Sequence, residues 1–105
     1  MTSIKKLKIG PLQYKVVEVK DLRNPMGQAA FGRHQYDTKT IELDKALDPS
    51  VKDVILLHEV LHGLMCSQEI ELDYEKEEHV VKNLTHGLAS FIKDNPTYIK
   101  QLMRK

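Results

Sequence analysis

Apolar positions follow two different rhythms along this chain. The first half alternates, and the second half repeats at helical spacing. Residues 4–9 read Ile-Lys-Lys-Leu-Lys-Ile, apolar and basic in rough alternation, and stop at Gly10-Pro11. Residues 12–19 read Leu-Gln-Tyr-Lys-Val-Val-Glu-Val, rich in β-branched and aromatic side chains, which predicts a strand. Asn24-Pro25-Met26-Gly27 signals a turn. Residues 28–36 form a weaker strand interrupted by Gly32, and residues 37–39 a hairpin turn. Residues 40–43, Thr-Ile-Glu-Leu, alternate polar with apolar and predict a half-buried strand. An antiparallel sheet of three to four strands is the simplest assembly of these segments.

Asp48-Pro49 opens the helical half, with Asp48 placed to cap free N–H groups and Pro49 suited to the first helical position. The spacing predicts a helix over 49–66. It is apolar on nearly every side, through Val51, Val54, Ile55, Leu56, Leu57, Val60, Leu61, Leu64 and Met65. Such a helix is buried, here between the sheet and a second helix. That second helix is predicted over 74–93, after a polar loop at 67–73, with Val80, Val81, Leu84, Leu88, Phe91 and Ile92 on one side. Asp94-Asn95-Pro96 ends it, and a short final helix follows over 97–104. The fold class is therefore α+β, with residues 1–105 as a single domain.

Composition narrows the function classes. With 41% apolar and 30% charged residues the chain has an ordinary globular make-up. A formal net charge of +1 gives no electrostatic footprint for nucleic acid or a membrane surface. There is no transmembrane-length apolar run and no leader-like apolar segment at the N-terminus. The lone Cys66 excludes an internal disulfide framework and fits a reducing compartment, so a cytoplasmic location is expected.

Two polar residues, His58 and Glu59, fall in the middle of the predicted buried helix, where an unpartnered polar group is costly. With His62 they spell His-Glu-Val-Leu-His, the H-E-x-x-H pattern. Positions i and i+4 project from one face a turn apart, so His58 and His62 can share one tetrahedral zinc ion. Glu59 sits about 100° around the helix. It is poorly placed to ligate the same ion but can reach water bound to it, whose pKa zinc lowers to about 7. Glu59 then acts as general base and passes the proton to a leaving amine. A catalytic zinc needs a third protein ligand. Candidates run from Glu69, Glu71 and Asp73 through Glu75, Glu77, Glu78 and His79 to His86. An antiparallel second helix brings its start near His62, which leaves Glu77, Glu78 and His79. Helical projection puts Glu77 near the centre of the apolar stripe and Glu78 at its edge.

The second half resembles the gluzincin branch of zinc peptidases, and specifically small phage- and prophage-encoded HExxH proteins. Their run Leu-His-Glu-x-x-His-[Gly/Ala] is matched by residues 57–63. Their next helix reads roughly Glu-x-x-Val-x-x-Leu-x-x-Gly-Leu and ends in Asp-Asn. Here that run is Glu78 to Leu88, followed by Asp94-Asn95. The resemblance covers about residues 40–96 and extends more distantly to ImmA/IrrE-type peptidases and minimal gluzincins. It implies a zincin-like fold, zinc as cofactor, a peptide or protein substrate, and Glu78 as third ligand. For a phage-encoded chain the expected compartment is the host cytoplasm. Thermolysin-like enzymes carry an aspartate four residues after the ligand glutamate. Here Lys82 stands there, or Val81 if Glu77 is the ligand.

Other residues have plainer readings beside functional ones. Residues 40–43 are a candidate edge strand for an extended substrate, or an ordinary strand. His86 can polarise a carbonyl or simply sit on the surface. Cys66 reads as a small buried thiol or a further ligand, and Tyr98 as a packing residue or an oxyanion donor. His34 and His79 read as incidental. The chain is thus expected to be a zinc metallopeptidase with Glu59 as general base. The rival is a non-enzymatic zinc-binding structural or adaptor protein, in which the ion staples a small fold.

Overall fold

A computed structural model describes residues 4–104. Four strands come first: β1 (Lys6–Ile9), β2 (Leu12–Val19), β3 (Gly32–Gln35) and β4 (Thr40–Asp44). Three helices follow: α1 (Pro49–Ser67), α2 (Tyr74–Asp94) and α3 (Pro96–Met103). The α+β layout and its order are those expected from the pattern. No helix among the described residues is long and apolar enough to cross a membrane.

The sheet has the order β1-β2-β4-β3. β1 and β2 form a hairpin around Gly10, whose φ of 59° suits a tight turn that other residues resist. β3 and β4 form a second antiparallel pair across the turn ending at Lys39. Between the hairpins, β2 and β4 run parallel, with Val16 opposite Ile41 and Glu18 opposite Leu43. The sheet is therefore mixed, where the sequence pattern suggested antiparallel pairing throughout. The segment between β2 and β3 crosses the sheet end, and the second hairpin folds back so that β4 slots in beside β2. Burial explains which strand takes the middle. Ile41 and Leu43 are fully buried, whereas every residue of β3 is only half-buried. This also corrects the expected edge: residues 40–43 are interior, and β3 is the edge strand beside α1.

One face of the sheet packs on α1. Ile9, Tyr14, Val16, Ile41 and Leu43 meet Leu56 there. On its other side α1 packs against α2 through Leu61, Met65 and Val81, with Leu88 alongside. Each such buried aliphatic chain contributes about 1.5–3 kcal/mol. The helix apolar on nearly all sides thus lies between two layers. Lys52, near its start, is buried against the sheet, with its ammonium 2.8 Å from Glu18 Oε1. That ion pair ties the first turn of α1 to β2. The cap expected from Asp48 takes a different form. Its carbonyl accepts from Lys52 N–H, but its side chain makes no capping bond. At α2 the cap is a full one, because Asp73 Oδ1 accepts from Lys76 N–H at 2.9 Å.

Candidate metal centre

The helix repeat places His58 and His62 one turn apart on α1, with ring centroids 5.0 Å apart and the rings edge-on. The Asp73 cap fixes where α2 begins, and Glu77 and Glu78 follow on its first turns, facing α1. The Glu78 carboxylate spans both imidazoles: Oε1 lies 2.9 Å from His58 Nε2 and Oε2 lies 3.2 Å from His62 Nε2. One donor atom from each of His58, His62 and Glu78 falls within 4.8 Å of the other two, so these three side chains can hold a metal ion. Two imidazole nitrogens and one carboxylate oxygen suit a divalent transition metal.

Glu77, the competing ligand choice, takes a different place. Its Oε2 lies 2.7 Å from His62 Nδ1. An ionised carboxylate only accepts, so His62 Nδ1–H donates to it. That bond holds the ring with Nε2 facing Glu78, the orientation a metal ligand needs. The two adjacent glutamates therefore take different places: Glu78 faces the Nε2 atoms of both imidazoles and Glu77 holds the Nδ1 side of His62. The sequence left the outer partner of the histidines open. The adjacent pair Glu77-Glu78 carries that signal, but along one helix it reads only as a choice between two ligands.

Electrostatics favour the ligating states. Burial pushes the His58 pKa below its ordinary value, with Glu78 opposing, which favours the neutral ring that metal binding requires. Glu59, one residue on, is 8% exposed. Burial pushes its carboxyl up to about 7, against the opposing pull of His62.

Glu59 packs against the edge strand at Gly32. A Cβ added there would lie 2.6 Å from Ile55 Cγ2 and 3.1 Å from Glu59 Oε2. The glycine that weakened the strand signal is thus the place where α1 and its glutamate approach β3 most closely. Gly32→Ala is expected to cost about 1–3 kcal/mol through overpacking. It should also shift the Glu59 carboxylate while leaving bound metal unchanged, as thermal melts and metal analysis would show.

These groups open into a cleft of about 580 Å³. α1 contributes Ile55, His58, Glu59 and His62, and the other walls are the β3 edge and the start of α2 with Tyr74. His34, which the sequence reads as incidental, also lines it. Its Nε2 is 2.9 Å from the Tyr14 hydroxyl, and burial, followed by nearby His62, lowers its pKa.

No family model matches the chain, and neither a curated protein nor a solved structure is significantly similar to it.

The remaining candidates lie elsewhere. Cys66 is exposed, contrary to the buried thiol expected, and stands outside the three-residue cluster. His79 is exposed beside Asn83, also outside the cluster. Tyr98 packs edge-on against Phe91, at a ring separation of 5.9 Å. His86 is exposed, and its charge acts on His58 without joining the cluster.

Proposed function

We propose that the chain is a zinc-dependent peptidase of the gluzincin type, with His58, His62 and Glu78 as ligands and Glu59 as general base. One observation carries this reading above all: a buried carboxylate stands beside the ligand set, yet outside it, on the wall of an open cleft. A purely structural ion has no use for such a group, because its four positions are filled by protein ligands.

The donor set suits zinc, which when bound supplies Lewis acidity and lowers the pKa of water. The chain's own residues do the rest. Glu77 holds the His62 ring in its ligating tautomer. Glu59 takes a proton from the attacking water and delivers it to the nitrogen of the breaking amide bond, so that one acid and one amine leave. Burial raises its affinity for a proton, which suits a group that must accept one from water, and a bound cation would oppose that rise.

The substrate is an extended peptide laid along β3. Asp44 N–H donates to Phe31 O, so by strand alternation residues 31, 33 and 35 turn their main chain toward β4. Gly32 and His34 turn theirs toward the sheet edge, where an added strand finds its hydrogen bonds.

The test is metal analysis of protein purified without chelators, together with hydrolysis of an unfolded protein and a mixed peptide library. Stoichiometric zinc and chelator-sensitive cleavage are expected. A metal-free chain would sink the ligand assignment. A zinc-loaded chain that cleaves neither probe would leave the structural role as the better reading.

A further inference from the structure

A run of exposed apolar side chains lies along α2 and α3. Val80, Leu84 and Phe91 stand on the outer side of α2, next to the stripe of Val81, Thr85 and Leu88 that faces α1. Leu84 is 51% exposed. Tyr98 packs on Phe91, so α3 extends this surface, adding Leu102 at 63% exposed.

The size of the surface is unusual for a lone chain. A compact monomer of 12.1 kDa exposes about 6,000 Å². This chain exposes 7759 Å². Its radius of gyration is 14.1 Å, against about 13 Å for a compact chain of this length.

The spacing says what fits. Val80, Leu84, Gly87 and Phe91 follow one another at four, three and four residues, the repeat of a helix-pairing seam. A Cβ at Gly87 would meet nothing within 4 Å, so this position is open within one chain. The seam is also complementary to itself when reversed. With two copies of α2 antiparallel and a two-fold axis between Leu84 and Gly87, Leu84 of each faces Gly87 of the other. Phe91 then comes level with Val80 of the second copy. A depression of about 510 Å³ lies there, lined by His79, Val80, Asn83 and Leu84, and receives the ring. Lys76 comes within one residue of level with Asp94 of the second copy on the same flank, close enough for its long side chain to reach, and the two-fold axis makes this attractive pair twice. An isologous interface has this property, since one patch must fit itself.

We propose that the outer face of α2, continued by α3, is the interface between two copies of this chain, paired antiparallel through Val80, Leu84, Gly87 and Phe91. The peptidase reading is independent of it, because none of Val80, Leu84, Gly87 and Phe91 lines the cleft.

Sedimentation equilibrium of the full chain, with and without zinc, tests the pairing. At high micromolar concentration the expected mass is twice 12.1 kDa in both states. Leu84→Glu should give a monomer. Gly87→Gln adds a side chain where one chain has open space, so it should keep the fold while raising the dimer dissociation constant by about tenfold or more. Lys76→Glu should weaken the pair, and adding Asp94→Lys should restore it. A monomeric wild type would overturn the proposal. So would a dimer that survives both Leu84→Glu and Gly87→Gln, since its interface would lie elsewhere. Failure of the Lys76/Asp94 exchange to restore association would overturn the antiparallel register.

Discussion

Glu59→Gln is expected to keep zinc at full stoichiometry, lose about 100- to 10,000-fold in peptide hydrolysis, and make the metal-free protein more stable above neutral pH. The first two effects follow from geometry. Glu59 is outside the cluster formed by His58, His62 and Glu78, so an amide there removes no ligand. Glutamine fills the same space but cannot accept the water's proton.

The stability effect follows from burial. Glu59 titrates at about 7 in the folded chain, against 4.5 for an ordinary glutamate. A carboxyl raised in this way favours the folded state while protonated, so its contribution is fully present below pH 4.5 and is lost as pH rises through 7. The whole shift corresponds to about 3 kcal/mol. Denaturant titrations of the metal-free proteins should therefore show wild type and variant converging near pH 4.5 and separating by about 3 kcal/mol at pH 8. A bound cation favours the carboxylate and should shrink the gap. An equal gap at both pH values would mean that the glutamine acts through packing and not through charge. Nature commonly accepts such a loss of stability at a working site.

Glu78→Ala is expected to abolish zinc binding, whereas Glu77→Ala should weaken it by about 10- to 100-fold and leave a zinc site that still fills at higher metal concentration. Glu78 contributes a donor atom to the cluster, and its removal leaves two imidazoles. Glu77 acts only through the Nδ1–H of His62. Competition with a chromophoric chelator reads both affinities. Thermal stability supplies a second measure. Zinc at 1,000 times its dissociation constant stabilises the folded chain by about 4 kcal/mol. Adding chelator should remove that increment from wild type, part of it from Glu77→Ala, and none from Glu78→Ala. The reverse ranking, with metal lost in Glu77→Ala and kept in Glu78→Ala, would exchange the two roles.

Those two glutamates also mark how far the sequence reaches. By itself it determined whatever depends on spacing along one element. Positions i and i+4 of a helix share a face whatever surrounds them, so His58 and His62 could be paired and Glu59 set apart from them. The apolar residues on nearly every side of residues 51–65 made the helix an interior one, and the β-branched run in residues 12–19 and the alternation in 40–43 marked the strands. Most element boundaries followed from Pro49, Asp73 and Asn95-Pro96. Relations between elements were decided only by the tertiary structure. Glu77 and Glu78 are neighbours about 100° apart. Which of them meets the imidazole Nε2 atoms depends on how α2 is rotated against α1, and that is set by Val81 and Leu88 packing on Leu61 and Met65. The parallel pairing of β2 with β4 likewise has no local signature. It arises because the strand with the most apolar inner face takes the centre, and this leaves β3 at the edge. Gly32 shows the limit most plainly: within its strand it reads as an interruption, and only α1 passing alongside makes it a place where a side chain would crowd Ile55 and Glu59.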